Sequence, residues 1–389
     1  MRDVVITAVG LRCAAGSTPG LPDRSWGRPD PDGASLGVPL VARVDGVGEH
    51  VDFPDDRKGA LAWAAAADAM VGAPAGGRRG VWLGTGLSSL TPDELVRDLY
   101  PHLRDGRFDR KALARDLDPD HPAPRRHLPE RVTQVIAAAY GAHVAETSFS
   151  ACAAAAMSIA EAARAVARGD VDMALAGGHD AMIHPIGLLS FVVLGALSTT
   201  VARPFDRRRD GFLIGEGAAV LRLEAESDAR ARGAPILARW LGAGTSVDAH
   251  NVTAPHPDGH GAALAMTRAL RDAGLTPADV DYVNAHGTGT PVGDRAESLA
   301  IRRVLGDVPV SSFKGAVGHT VAAAGAVELA LCLACFRDGL LPGTVGLEEP
   351  DPECPANVLV ANVAKRPRVI LSNSFGFGGQ NCAVVIGAP

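Results

Sequence analysis

The feature that most limits the fold is the alternation of short apolar runs with longer Ala-rich segments. Runs such as 4–9, 171–176 and 280–284 are short and apolar, which predicts buried strands. Segments such as 60–70 and 321–337 are longer and rich in helix-forming residues, which predicts helices. Strands that alternate with helices are typical of α/β proteins with buried sheets. We therefore predict an α/β fold.

A polar and charged stretch at 224–233 separates two parts of the chain, and a new strand-like run begins after it. We predict an N-terminal half, residues 1–233, and a C-terminal half, residues 234–389. Their element order suggests two halves of one βαβ-type plan, without a strong repeat of residue identity. Residues 100–130 are rich in Arg, Asp, Pro and His and predict an exposed, irregular excursion.

Composition narrows the class of protein. The 389-residue chain has a net charge of −6, which gives no support to a nucleic-acid partner. It has no apolar run of membrane-spanning length, and its N-terminus lacks the layout of a signal peptide. Six cysteines are too few for a disulfide scaffold of this size. We expect a cytoplasmic protein with free thiols, without nucleic-acid or membrane partners.

Cys152 lies where a strand-like or loop-like stretch gives way to the Ala-rich segment 153–168. A helix N-terminus has unpaired N–H groups and a favourable dipole for negative charge. The position therefore favours the thiolate, which is the nucleophilic form of cysteine. The alternative is that Cys152 is a small buried apolar residue without a chemical role.

The segment 284–294 joins a strand end to a loop of alternating Gly and Thr around His286. The glycines allow close approach of backbone to a ligand, and the Thr288 and Thr290 hydroxyls are able to bond a polar chain. A histidine at a strand end is placed for proton transfer or for stabilising an oxyanion. The alternative is a structural histidine.

The segment 314–328 carries Lys314, His319 and Glu328 in apolar surroundings. Only four of the 38 basic residues are lysines, so a lysine without neighbouring charges suggests a need for a compact ammonium group. We expect the other three, including Lys58, at the surface. A carboxylate inside an apolar helix needs a partner, and Lys314 is the candidate for Glu328. A surface lysine and a solvated glutamate are the alternative.

Two further segments have mixed interpretations. The segment 373–381 contains three glycines and two phenylalanines between predicted strands, and no helix follows it, which disfavours a dinucleotide site. The charged segment 203–217 is more typical of a solvated loop.

Metal-binding spacing is absent, because Cys332 and Cys335 lie in an apolar helix without a second pair, so we expect no metal.

Together these five segments, in their order along the chain, resemble the β-ketoacyl-[acyl-carrier-protein] synthases, the condensing enzymes of fatty-acid and polyketide synthesis in the thiolase superfamily. The Asn-Ala-His-Gly-Thr-Gly-Thr and Lys-Gly-Ala-Val-Gly-His-Thr segments are highly specific to that family. The resemblance implies a layered αβαβα thiolase-like fold and a homodimer. It covers most of the chain, from Ser150 to the Gly-rich segment.

The resemblance also implies roles for individual residues. Cys152 would be the nucleophile that takes an acyl group from a carrier-protein thioester. His286 and His319 would assist decarboxylation of malonyl-carrier protein and stabilise the enolate. Lys314, paired with Glu328, would orient the histidines.

Further residues would bind the substrate arm and gate the site. Thr288 and Thr290 resemble residues that bond the phosphopantetheine arm. Phe377 resembles a gating residue, and its backbone N–H would form the oxyanion hole with that of Cys152. Phe212 resembles a phenylalanine that separates the acyl and malonyl steps. The gating loop also contains Gly376 and Gly378.

The predicted function is a decarboxylative Claisen condensation that gives β-ketoacyl-acyl-carrier protein. No prosthetic group is expected, because the phosphopantetheine arrives on the acyl-carrier protein. A heterodimer with a ketosynthase-like subunit is the alternative to a homodimer. Two other functions remain open: an acyltransferase that forms an ester or amide, and a structural partner subunit of a ketosynthase heterodimer.

Overall fold

The computed structural model describes residues 1–54, 56–86, 94–116 and 127–389. Of the predicted excursion 100–130, residues 117–126 lie outside the described residues. Its described part contains a small hairpin and a short helix, and most of its side chains are exposed.

The strands of the described residues are β1 (Val4–Arg12), β2 (Arg28–Pro29), β3 (Leu40–Val41), β4 (Arg79–Thr85), β5 (Leu103–Arg104), β6 (Arg107–Phe108), β7 (Val144–Ser148), β8 (Met173–Ala181), β9 (Glu216–Ala225), β10 (Ala238–Val247), β11 (Tyr282–Asn284), β12 (Pro309–Ser311), β13 (Asn357–Val358), β14 (Val369–Gly376) and β15 (Gln380–Gly387). The α-helices are α1 (Pro31–Ser35), α2 (Arg57–Met70), α3 (Arg110–Asp116), α4 (Arg131–Ala139), α5 (Ala154–Arg168), α6 (Pro185–Val193), α7 (Glu226–Ala231), α8 (His260–Ala273), α9 (Pro291–Leu305), α10 (Lys314–Val317) and α11 (Ala324–Asp338).

The large sheet shows the same strand plan twice. Its order is β13-β12-β11-β14-β15-β10-β1-β9-β8-β4-β7. In the N-terminal part, β7, β4 and β8 are parallel and β9 and β1 add antiparallel. In the C-terminal part, β12, β11 and β14 are parallel and β15 and β10 add antiparallel. Each five-strand unit therefore has the same internal order, and antiparallel pairing of β1 with β10 joins the two.

Helices cover both faces of each unit. Helices α2 and α4 pack on the outer face of the first unit, and α8 packs on the outer face of the second, with α9 against it. Helices α5 and α11 contact each other and strands of both units, so they form a shared middle layer. The result is a layered αβαβα arrangement, and the predicted fold class is confirmed.

The middle layer is tightly packed because its helices are built from small residues. Residues 153–156 of α5 and its preceding turn are alanines and are buried. A Cβ added at Gly325 of α11 would lie 2.9 Å from the Ala156 Cβ and 2.8 Å from the Ser374 Oγ. Such separations are shorter than ordinary van der Waals contact, so the close approach of α5 and α11 requires a glycine there.

Two expectations about the N-terminal region need correction. Helix α2 begins at Arg57, three residues before the predicted start at Ala60, because the Asp56 side chain accepts a hydrogen bond from the Gly59 N–H and caps it. Lys58 is buried rather than at the surface, since α2 packs on β8, β9 and β1.

In the described ranges no helix is both long and apolar enough to cross a membrane.

Candidate active site

Cys152 lies in a single 3₁₀ turn, Ala151–Ala153, between β7 and α5. Ala151 has a φ of 46°, a left-handed conformation that turns the chain sharply from the strand into the helix. The backbone N–H groups of Cys152 and Phe377 face the Cys152 sulfur. The thiol thus lies between two donors of the kind that stabilise an oxyanion.

The Cys152 side chain is protonated in this environment. Burial raises the pKa of the thiol to about 12, and the positive charge of Lys314 and the two N–H groups lower it less than burial raises it. The Asp180 carboxylate raises it further. The expectation that this position favours the thiolate is therefore wrong, because burial raises the pKa of the thiol more than the neighbouring groups lower it. Ionisation needs a proton acceptor in contact with the sulfur.

That acceptor is present in His319. Its Nε2 lies 3.1 Å from the Cys152 Sγ. The His286 ring packs edge-on against the His319 ring with centroids 5.3 Å apart. The Sγ and one ring nitrogen from each histidine all lie within 4.8 Å of one another. A thiol from the first half of the chain thus meets two imidazoles from the second.

Both histidines are neutral and neither is locked in one tautomer. Burial, followed by the Lys314 charge, lowers the pKa of His286 and of His319 well below the ordinary value. The Nδ1 atom of each ring is buried without a hydrogen-bond partner among the described residues. A partner at Nδ1 normally fixes which nitrogen carries the proton. No hydrogen bond among the described residues therefore fixes the tautomer of either ring.

Lys314 and Glu328 form a fully buried ion pair behind the histidines. Glu328 also accepts a hydrogen bond from Asn284 Nδ2 at 3.0 Å, at the end of the strand that leads to His286. Ser312 donates to the Gly287 carbonyl at 2.7 Å and accepts from the Lys314 N–H at 3.1 Å. The pair is thus tied to the histidine loop from two sides, and neither member lines the cavity described next.

A cavity of about 280 Å³ opens in front of the thiol. It is lined mainly by apolar atoms and contains Cys152, His286 and His319. The other predicted site residues on its wall are Thr288, Thr290, Phe212, Phe377 and Gly376. Gly378 is not on the wall; its N–H donates to the Val252 carbonyl at 2.7 Å, and its φ of 84° suits glycine.

The aromatic and hydroxyl side chains take distinct places in the cavity. Phe212 is buried and packs edge-on against His319, with ring centroids 5.0 Å apart, and against Phe191 at 5.4 Å. The Thr288 and Thr290 hydroxyls lie 2.9 Å apart at the start of α9. Apolar groups therefore surround the Cys152 sulfur, and hydroxyls lie farther along the loop.

Gly376 sets the distance between the Gly-rich turn and Cys152. A Cβ added there would lie 3.1 Å from the Cys152 backbone N and 3.2 Å from the Ala151 Cβ. The close approach brings the Phe377 N–H next to the sulfur. A larger residue at position 376 would therefore push the turn away from the thiol.

The family model described as Beta-ketoacyl synthase, N-terminal domain, matches residues 61–229. The model described as Beta-ketoacyl synthase, C-terminal domain, matches residues 237–348. The chain belongs to the β-ketoacyl synthase family.

A curated member of the β-ketoacyl synthase family, the mitochondrial 3-oxoacyl-[acyl-carrier-protein] synthase of Arabidopsis thaliana, is 44% identical over 250 residues. That alignment covers 60% of this chain and 54% of the relative. The 3-oxoacyl-[acyl-carrier-protein] synthase 2 of Mycobacterium bovis is 44% identical over 253 residues, 62% of this chain and 60% of that protein. The chain thus matches just over half of the length of these relatives.

Solved β-ketoacyl synthase structures match the whole chain. The ishigamide ketosynthase/chain length factor has a TM-score of 0.86 and 32% identity, covering 100% of this chain and 99% of that one. A type II polyketide synthase ketosynthase, solved in complex with its acyl-carrier protein, has a TM-score of 0.87 and 26% identity, again covering 100% and 99%.

The structure also reveals two carboxylates that the sequence argument missed. Glu297 of α9 accepts hydrogen bonds from the backbone N–H groups of His286 at 2.8 Å and Gly287 at 2.7 Å. Asp294, one helical turn earlier, accepts from the Gly289 N–H at 3.0 Å. Burial raises the pKa of Glu297 to about 7 and that of Asp294 to about 6. Both carboxylates hold the Gly/Thr loop by its backbone.

A third missed carboxylate lies at the junction of the two halves. Asp180, at the end of β8, accepts a hydrogen bond at 3.1 Å from the N–H of Ala322, three residues after His319 in the chain. It is buried, and burial raises its pKa to about 6. The sequence signal that was available is an acidic residue among residues of buried type. Asp180 ends the run Ala176-Gly-Gly-His-Asp, and Glu297 lies on the apolar face of a helix.

Proposed function

We propose that this protein catalyses the decarboxylative Claisen condensation of a Cys152-bound acyl group with malonyl-acyl-carrier protein. The product is β-ketoacyl-acyl-carrier protein, in fatty-acid or polyketide biosynthesis. The observation that carries the proposal is the convergence of one thiol and two neutral imidazoles on an apolar cavity. This arrangement supports both halves of the reaction without a prosthetic group.

In the first half-reaction, Nε2 of His319 takes the Cys152 proton. The sulfur then attacks the thioester carbonyl of the acyl-carrier protein. Negative charge develops on the carbonyl oxygen, and the N–H groups of Cys152 and Phe377 stabilise it. The tetrahedral intermediate expels the carrier thiolate, which takes the proton from His319. The acyl group is now on Cys152, and His319 is neutral again.

In the second half-reaction, malonyl-carrier protein occupies the cavity. Its carbon–carboxylate bond breaks, carbon dioxide leaves, and the electron pair moves onto the thioester oxygen as an enolate. Ring N–H groups of His286 and His319 stabilise that oxygen. The enolate carbon attacks the Cys152 acyl carbonyl, and the sulfur leaves as a thiolate that takes up one proton from solvent. The unlocked tautomers let His319 serve as acceptor first and as donor second.

The wall of the cavity supports the remaining roles. We propose that Thr288 and Thr290 bond the phosphopantetheine arm, since their hydroxyls lie together on the wall. Phe377, in the Gly-rich turn with Gly376 and Gly378, would gate the cavity. Phe212 would separate the acyl and malonyl steps, since it packs against His319. Apolar walls keep water from the carbanion.

We also propose the partners and the division of the chain. The half 1–233 would supply the nucleophile and the half 234–389 the histidines and the gating turn. Strand β7 ends the sheet order, and within the described residues its outer edge pairs with no strand. Phe149, directly after β7, is 53% exposed. An edge strand of this kind is suited to a homodimer or to a heterodimer with a ketosynthase-like subunit, which the ishigamide structure contains as a chain length factor.

The test is the release of carbon dioxide from malonyl-carrier protein, together with the mass of the carrier-bound product. The His286→Ala variant should lose decarboxylation by at least about 100-fold, because the enolate oxygen loses a donor. The exposed His143→Ala variant is the matched control and should keep the parent rate. Carbon dioxide release by His286→Ala at the parent rate would exclude the enolate role.

A further inference from the structure

The three reacting side chains also form a set of metal ligands. The Cys152 sulfur and one ring nitrogen each of His286 and His319 lie within 4.8 Å of one another. The sulfur and the His319 Nε2 are 3.1 Å apart. All three side chains are more than nine-tenths buried, yet they line a cavity that opens toward solvent. Within the described ranges, three donor atoms thus converge at the end of an access route.

A thiolate with two imidazoles is a donor set that zinc prefers. Zinc binds sulfur at about 2.3 Å and nitrogen at about 2.0 Å in a tetrahedron, which places neighbouring ligand atoms about 3.5 Å apart. The spacing here is within a short side-chain movement of that value. A site with three protein ligands leaves the fourth position open, and here it would face the cavity. The N–H groups of Cys152 and Phe377 are donors, so they do not compete as ligands.

We propose that Cys152, His286 and His319 bind a soft divalent metal ion of the zinc class, and that the bound ion blocks acylation of Cys152. On binding, the S–H bond breaks, its proton leaves to solvent, and a sulfur–metal bond forms without a change of oxidation state. The metal loses water ligands to the three side chains. The lone pair that would attack a thioester is then committed to the metal.

The surroundings indicate reversible, inhibitory binding rather than a resident metal. A permanent zinc site normally has an acceptor on the outer nitrogen of each histidine, and the loss of such partners weakens metal affinity by about 10- to 100-fold. Here the Nδ1 atoms of both rings lack a partner among the described residues. The Lys314 charge is nearby but is paired with Glu328. Metal should therefore be removable by a chelator.

Metal binding and inhibition by the metal are tested separately. Binding follows from the three ligands alone, whereas inhibition of turnover rests on the proposed function. The first measurement uses the full chain, treated with chelator and dialysed, and titrates Zn²⁺ or Co²⁺ alone. We expect one equivalent of Co²⁺ to give a sulfur-to-cobalt charge-transfer band. We also expect saturating Zn²⁺ to slow alkylation of Cys152 by iodoacetamide at least about tenfold, measured by peptide mass mapping.

Two variants make the assignment specific. Cys152→Ser keeps the shape of the site and should lose the charge-transfer band and bind Zn²⁺ at least about tenfold more weakly. His250→Ala removes an exposed histidine whose ring lies 5.0 Å from that of His256, and it should bind the site metal as the parent does. Equal Zn²⁺ affinity of Cys152→Ser and the parent, or unchanged alkylation at saturating Zn²⁺, would overturn the proposal.

The two hypotheses fail in different ways. If the band and the protection occur but no β-ketoacyl product forms, the metal site stands and the proposed function falls. If product forms and Zn²⁺ neither protects Cys152 nor slows acylation, the function stands and the metal site falls. Zn²⁺ that protects Cys152 from iodoacetamide should equally slow its acylation by acyl-carrier protein.

Discussion

Lys314 and Glu328 form an ion pair that is buried inside the protein. Both are essentially inaccessible to solvent, and their charges compensate each other with help from Asn284. A buried ion pair contributes little net stability, but removal of one member leaves an uncompensated charge. The pair therefore acts as a constraint on the histidines more than as a source of stability.

This predicts a large single-variant effect. Lys314→Met should lower the free energy of unfolding by about 3–5 kcal/mol, because Glu328 is then buried without its counter-charge. The double variant Lys314→Met with Glu328→Leu should recover most of that loss. Urea unfolding of both variants measures the loss of unfolding free energy and its recovery. Single and double variants of equal stability would contradict a pair that depends on mutual compensation.

At the scale of single residues, sequence motifs predicted Cys152, His286 and His319 as site residues, because Gly-rich and Ala-rich surroundings mark strand and helix ends. The ionisation state was not predictable in the same way. The helix end suggested a thiolate at Cys152, whereas burial raises the pKa of its thiol to about 12. Burial of a helix end depends on what packs over it, and here residues far along the chain do so.

At the scale of elements, helix α9 fixes the loop that carries His286. The two Glu297 oxygens accept from the backbone of His286 and Gly287, and one also accepts from Asn373 Nδ2 at 3.1 Å. The loop thus has a rigid helix behind it and a strand, β14, beside it. Helix α9 begins at Pro291, directly after Thr290, so its first turn continues from the loop that the sequence marked by its Gly and Thr residues.

A change at Glu297 should therefore act on the histidine loop. In Glu297→Gln one acceptor oxygen becomes an amide donor facing a backbone N–H, which should cost about 1–3 kcal/mol of unfolding free energy. Displacement of His286 should lower the rate of malonyl decarboxylation on the order of 10- to 100-fold.

The exposed Glu353→Gln variant carries the same chemical change without buried partners and serves as the control. Steady-state decarboxylation rates and urea unfolding of both variants are the measurements. Equal rates for Glu297→Gln and Glu353→Gln would contradict a positioning role for α9.

At the scale of the whole molecule, the double five-strand plan explains why the site lies between the two units. Cys152 lies just before α5, and His319 lies just before α11. These two helices form the shared middle layer, so the two parts of the site face each other. The 3₁₀ turns Ala151–Ala153 and Val321–Ala323 both begin with a left-handed residue, with φ values of 46° and 48°. Local sequence predicted the α/β class, but not this pairing of turns, which depends on long-range packing.

The interior also contains a histidine outside the site, His179 on β8. It is fully buried, and neither ring nitrogen has a hydrogen-bond partner among the described residues. Burial, and then the Lys58 charge, lowers its pKa to about 3. Between about pH 6.5 and 3 the unfolded chain binds a proton at His179 that the folded protein does not. The contribution of His179 to stability is therefore present at neutral pH and is lost as the pH falls.

Replacement of His179 tests this linkage. The stability of His179→Leu relative to the parent should rise by about 1.4 kcal/mol for each pH unit lowered below about pH 6. The useful quantity is the difference in unfolding free energy between the variant and the parent. The raised pKa values of Asp180, Asp294 and Glu297 change the stability of the parent with pH in the direction opposite to that of His179. Urea unfolding at pH 7.5, 5.5 and 4.5 measures it. A pH-independent difference would contradict a buried neutral His179.

The central claim is that Cys152 carries the acyl group. Intact mass of the parent and of Cys152→Ala, after exposure to a panel of acyl-carrier proteins, tests it most directly. We predict one acyl adduct per chain on the parent, none on Cys152→Ala, and release of the adduct only when malonyl-carrier protein is added. Equal labelling of Cys152→Ala and the parent would contradict the account.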